Sequence, residues 1–152
     1  MTQRSNEEVV RAYVKAMETG DLDGAGALRH KDFVGEWPQS GERIRGEANM
    51  RALIENYPGG APAVHGGRLI GSEDRWVVTP VYSVQRIVGS GDSWWGDGTI
   101  TYPDGSTWNY AIFVEIRDGL VYRETEYFAA PFEAPEWRRP FVEKMDQGDA
   151  PG

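Results

Sequence analysis

The run from Thr107 to Phe128 does most to narrow what this 152-residue chain can become. Trp108-Asn-Tyr-Ala-Ile-Phe-Val-Glu-Ile116 and Leu120-Val-Tyr-Arg-Glu-Thr-Glu-Tyr-Phe128 are rich in β-branched and aromatic residues. They flank Arg117-Asp118-Gly119, and an Asp-Gly pair between two such runs predicts an antiparallel hairpin. Alternate side chains of a strand share a face, so Trp108, Tyr110, Ile112, Val114 and Ile116 form a core face. On the second strand the alternatives are Tyr122, Glu124, Glu126 and Phe128, or Val121, Arg123, Thr125 and Tyr127. Neither set is cleanly apolar. One of them lines a pocket or faces water, and any chemical role for the two glutamates depends on which.

The chain length predicts one domain over 1–145 with a disordered tail over 146–152. There is no cysteine, which excludes disulfides and thiolate metal sites, and the two histidines, His30 and His65, are too few for a histidine-rich metal centre. No metal and no cofactor are expected. A formal charge of -8 argues against binding a phosphate backbone, so no nucleic acid partner is expected. The start of the chain lacks the apolar core of a signal peptide, and no apolar run reaches bilayer length, which predicts a cytoplasmic protein with no membrane partner. Six tryptophans exceed what a small core needs and suit a ligand pocket or an interface.

Taken in order, Ser5-Asn-Glu-Glu8 is a capping-box pattern, and Val9, Val10, Tyr13, Val14 and Met17 follow at helical spacing until Gly20. Asp21 caps a short second helix carrying Leu22, Ala25 and Leu28, weakened by Gly24 and Gly26. A strand is predicted over 31–37, closed by Pro38, then a turn over 39–42. A third amphipathic helix carries Met50, Leu53, Ile54 and Tyr57 and stops at Pro58-Gly59-Gly60. Strands follow at 65–71, 75–88 and 98–102, then the hairpin. The turns between them are Ser72-Glu-Asp74 and Pro103-Asp-Gly105, and 89–92 is a flexible loop. Helices before an antiparallel sheet predict an α+β fold with helices on one sheet face. A short helix interrupted at Pro140 is expected over 135–145.

This order resembles that of the SnoaL-like proteins of the nuclear transport factor 2-like superfamily. The likeness rests on Tyr13-Val-Lys-Ala-Met-Glu-Thr-Gly-Asp-Leu-Asp-Gly24, Glu36-Trp-Pro-Gln-Ser-Gly-Glu-Arg-Ile-Arg-Gly46 and Arg117-Asp-Gly-Leu-Val-Tyr-Arg-Glu-Thr-Glu-Tyr-Phe128, and it spans about residues 5–138. It implies a cone, in which the helices pack in a strongly curved antiparallel sheet that encloses a mostly apolar cavity. Against the similar ketosteroid isomerases, Tyr13 falls at an oxyanion-hole tyrosine, while Trp37 and Ile112 stand where the base and the protonated acid would be, so that mechanism cannot run. Against the similar limonene epoxide hydrolases, Glu126 matches one acid, but Val81 and Ser83 replace the arginine and the second aspartate. The polyketide cyclases, which use one acid/base in a greasy cavity, are nearer in overall pattern.

The resemblance therefore implies Glu126 and Tyr13 as catalytic residues, with Trp37, Trp108, Tyr110, Ile112, Glu124 and Phe128 contacting a hydrophobic small-molecule ligand. Burial would raise the Glu126 pKa into a useful range, and two inward glutamates require that one be protonated or paired, with an arginine for example. The other reading of the two glutamates puts them on a wet convex face, and the alternative function is a non-catalytic small-ligand-binding or dimerisation module, in which the cavity holds a ligand or the sheet docks a partner. Trp94 and Trp95 are expected in a lid or a subunit contact, Arg43 and Arg45 in surface ion pairs, and His65 at a surface or turn position where it opens a strand. Trp137 and Phe141 are expected to seal the sheet or the face of a homodimer.

Overall fold

The structure, a computed structural model, describes residues 3–71 and 91–145, with the backbone alone for 65–71. Helix α1, Asn6–Thr19, starts at a reciprocal capping box: Glu8 N–H donates to Ser5 Oγ at 3.2 Å and Ser5 N–H to Glu8 Oε2 at 2.7 Å. It ends at Gly20, whose φ of 69° is the left-handed cap that glycine adopts without strain. Its buried stripe is Val9, Val10, Tyr13 and Ala16, at the 3–4-residue spacing of one helix face. Helix α2, Leu22–Ala27, is capped by Asp21, and α3, Glu47–Glu55, buries Met50.

Among the described residues the strands are β1 Arg29–Trp37, β2 Glu42–Arg45, β3 Ala63–Gly71, β4 Ser93–Thr101, β5 Thr107–Arg117 and β6 Leu120–Ala129. They form one curled sheet in the order β2-β1-β6-β5-β4-β3. The helices and this sheet make the expected α+β cone, with one correction. The sheet is mixed, because β1 pairs parallel with β6. The two strands are far apart in sequence, and strands not joined by a hairpin are free to run parallel.

The hairpin turns at Asp118 and Gly119, both at positive φ, 53° and 72°. These are the values that a two-residue turn matched to strand twist requires. Its alternation is as read: Tyr110, Ile112, Val114 and Ile116 are buried, and Trp108 is partly buried. The register between β5 and β6 shifts, with Glu115 opposite Arg123 and Ile116 opposite Val121, so Tyr122 is the extra residue of a β-bulge. The bulge exchanges the faces of β6. Val121 points inward at one end, and after Tyr122 the inward set becomes Glu124, Glu126 and Phe128. Neither alternation works along the whole strand, which is why neither was cleanly apolar. Tyr122 instead lies under the Arg117 guanidinium, 3.5 Å from its ring centroid.

Other expectations need correction. The turn expected over 39–42 is present at 38–41, and the short strand β2 that follows it was not expected; Arg43 Nε meets Glu36 at 3.1 Å between the paired strands, the surface ion pair expected. β4 starts at Ser93, so Trp94 and Trp95 lie within a strand opposite Val114 and Phe113 and form no lid. Trp94 packs on the core and donates its indole N–H to Gly91 O at 2.8 Å, which satisfies its polar end. His65 lies inside β3, opposite Thr99. The C-terminal helix is a 3-10 turn, Glu136–Phe141, in keeping with Pro140. Trp137 and Phe141 are 74% and 81% exposed and do not seal the sheet among the described residues. The turn expected over 72–74, the strand over 75–88, the first half of the 89–92 loop and the tail over 146–152 lie outside the described residues. No helix among the described residues is long and apolar enough to cross a membrane.

Candidate active site

A pocket of ≈ 620 Å³ opens between the end of α1, α2, α3 and the concave side of the sheet. Its walls are largely apolar and aromatic: Met17, Met50, Leu53 and Ile54 from the helices, and Trp37, Trp108 and Phe128 from the strands. Tyr57 and Tyr102 line the same space, stacked with ring centroids 6.3 Å apart, and Tyr102 meets Trp108 edge-on at 5.4 Å.

Glu124 and Glu126 enter this wall from β6, two residues apart and on one face. Glu124 is 2% exposed. Its Oε2 accepts the Tyr13 hydroxyl at 2.7 Å, and Tyr13 Oη in turn accepts Arg29 Nε at 2.9 Å. Arg29 Nη1 donates to Glu47 Oε2 at 2.6 Å. The guanidinium lies 5.2 Å and 5.0 Å from the ring centroids of Tyr13 and Phe33, flat surfaces that suit it better than an ammonium. On the other side, Glu126 stands beside it in the pocket wall, where Trp37 and the Glu124 carboxyl both act on its proton affinity.

Two neighbouring buried carboxyls resist carrying charge together, because burial disfavours each charge and like charges repel. Burial pushes both pKa values up, and the Glu124 charge then drives Glu126 well above the ordinary carboxylate range. Arg29 and the Tyr13 hydroxyl work the other way on Glu124 and favour its anion. Of the two, Glu126 therefore holds its proton to higher pH, and Glu124 is the first to take the charge. Burial first, and Glu124 second, hold Tyr13 well above the usual phenol range, so it remains a donor. Tyr110 is raised to about 12, mainly by burial.

Of the residues expected at the site, Glu124, Glu126, Trp37, Trp108 and Phe128 line the pocket. Tyr13, Tyr110 and Ile112 are buried beside it and are not among its lining residues. Tyr13 spends its hydroxyl proton on Glu124, and Ile112 backs Glu126 as its cross-strand neighbour. Arg29 and Glu47 escaped the reading of the sequence. The predicted strand began two residues after Arg29, and the signal that points to it is chemical: two inward acids require a buried cation. Among the described residues no group of three or more potential ligands could hold a metal ion.

A curled sheet closed on one side by helices, with polar groups deep in an apolar pocket, defines a cone of the nuclear transport factor 2-like class. Within that class the chain belongs to the SnoaL-like domain family, which it matches over residues 10–124. It is similar to an NTF2-like protein of unknown function from Burkholderia xenovorans, with 32% identity, a TM-score of 0.72, and 93% of this chain and 95% of that one covered. A proposed ketosteroid isomerase from Kribbella flavida has 25% identity and a TM-score of 0.72, covering 93% and 90% of the two chains. An LEH-like epoxide hydrolase of M. tuberculosis shares the fold at 20% identity and a TM-score of 0.59, with 81% of each chain covered. No curated protein matches the sequence.

Proposed function

We propose that this protein is an enzyme performing acid-base chemistry on a hydrophobic small molecule, of the isomerase, cyclase or hydrolase kind, with Glu126 as the proton donor. The observation that carries this reading is the Glu124–Glu126 pair, two carboxyls from one strand face set side by side in the wall of an aromatic pocket. A protonated carboxyl facing a bound molecule gives its proton to a developing oxyanion or leaving oxygen, and a donor whose pKa lies near the working pH does this best. Glu124 keeps the negative charge beside it and so draws the proton back when the product leaves. Trp37, Trp108 and Phe128 supply flat apolar surface for the substrate. Tyr13 acts through Glu124 and does not touch the ligand. The neighbouring isomerase and epoxide hydrolase support acid-base chemistry only as a general possibility in this family.

The homodimer expected from the sequence belongs to the same proposal, supported by the exposed Phe132, Trp137 and Phe141.

Turnover of a panel of hydrophobic epoxides, enones and 1,3-dicarbonyl compounds by the wild type and by Glu126→Gln tests the reading. The variant keeps shape and loses the transferable proton, so the rate should fall by about 10²- to 10⁴-fold with an unchanged circular dichroism spectrum. Equal rates would remove Glu126 from the chemistry. Tight binding of panel members with no turnover by the wild type would make the pocket a binding module.

A further inference from the structure

Glu47 is a half-buried acid for which the proposed chemistry has no use. It opens α3, yet its side chain turns across α2 to reach Arg29, with side-chain exposure of 33% for Glu47 and 2% for Arg29. Its Oε1 is buried and without a hydrogen bond, and Arg51 Nε lies 3.7 Å from it. An acid bears that arrangement only where the rest of its contact compensates. What admits it is Gly26: a Cβ at that position would lie 2.8 Å from Glu47 Cδ, inside van der Waals contact. One of the two glycines that weaken α2 is thus the one that leaves room for the Glu47 carboxyl.

We propose that Arg29, held by Glu47 across Gly26, is the positioning residue that determines which carboxyl of the pair is the anion and how firmly the other keeps its proton. One guanidinium faces two acids on opposite sides, Glu47 directly and Glu124 through Tyr13. Arg29 lowers the proton affinity of both pocket glutamates, and Glu47 raises that of Glu124. The remaining groups that act on or feel the pair are Tyr13 from α1, Trp37 from β1, Tyr110 from β5 and Tyr102 just after β4. The neutral ones do not replace Arg29 as a source of positive charge. Arg29 and Glu47 thus tune the pair in opposite directions from outside the reacting atoms.

The geometry stands without the catalytic reading, and only its consequence for rate rests on it. The test is therefore a carboxyl carbon-13 NMR titration of the ligand-free protein, followed by the pH-rate profile of any substrate found. Glu47→Gln should move the titration of the Glu124–Glu126 pair to lower pH, and Arg29→Gln should move it to higher pH. Gly26→Ala, which displaces Glu47 while improving helix propensity, should follow Glu47→Gln. If Arg29→Gln does not fold, Glu47→Gln and Gly26→Ala still decide. Titrations that stay put, or that move upward in those two variants, would overturn the proposal. Titrations that shift while the rate profile does not would leave the positioning intact and count against Glu126 as the acid.

Discussion

The Tyr13 hydroxyl donates to Glu124 Oε2 over 2.7 Å, joining the middle of the first helix to the last strand across 111 residues of sequence. Through this bond the core and the pocket are one structure. Tyr13 is fully buried in the stripe that holds α1 to the sheet, and its polar end determines how the glutamate beside the pocket carries charge.

Tyr13→Phe tests that dual role. It leaves Arg29 Nε without its acceptor and Glu124 without a donor, and an unsatisfied buried polar group costs about 1–3 kcal/mol. Urea unfolding should show a loss of that size with an unchanged slope. Loss of the donor should also raise the Glu124 pKa, because the hydrogen bond favours the anion. A variant as stable as the wild type would mean the bond contributes nothing.

Stability should depend on pH in a direction set by the acid pair. Both folded-state pKa values lie above the ordinary 4.5, so above that pH the unfolded chain has released protons that the native one retains. The native state then binds more protons, and stability falls as pH rises from about 4.5 through the raised values, with no further loss above them. In Glu126→Gln there is no proton to lose at that position. Its urea midpoint should fall less across this window and exceed that of the wild type at the alkaline end, and parallel curves for the two proteins would contradict the assignment.

Gly35→Ala probes the wall behind the pocket. A Cβ there would sit 2.8 Å from Ile44 Cγ2 and 3.1 Å from Met50 Cε, and Met50 lines the pocket while being 3% exposed. Overpacking of this kind costs about 1–3 kcal/mol. A lowered melting temperature is the expected result, together with weaker ligand binding as Met50 shifts into the pocket.

Much of the fold was legible because its signals are local. The capping box at Ser5 and Glu8, the glycine stop at Gly20 and the Asp118-Gly119 turn each write their geometry into adjacent residues. What could not be read is what distant segments do to one another. The parallel pairing of β1 with β6 leaves no mark on either strand alone. The bulge at Tyr122 broke the alternation on which the facing of Glu126 depended, so counting along β6 from Leu120 carries the wrong parity past that point. Trp94 and Trp95 were not read as strand residues because Gly91 and Gly96 near them look like loop residues, although here Gly96 lies in a paired strand. Arg29 was hidden by its charge, since a guanidinium at a strand end reads as solvent-exposed until its partners Tyr13, Glu47 and Glu124 are brought around it.

The central claim is that a protonated carboxyl stands in the pocket at neutral pH and belongs to Glu126. Infrared difference spectroscopy of the ligand-free protein, with carbon-13-labelled glutamate to shift the band, observes that proton directly. The claim predicts a carboxylic-acid C=O stretch at pH 7 that is present in the wild type, moves with the label and is absent in Glu126→Gln. A spectrum with only carboxylate bands at pH 7, or an acid band that survives in Glu126→Gln, would contradict it.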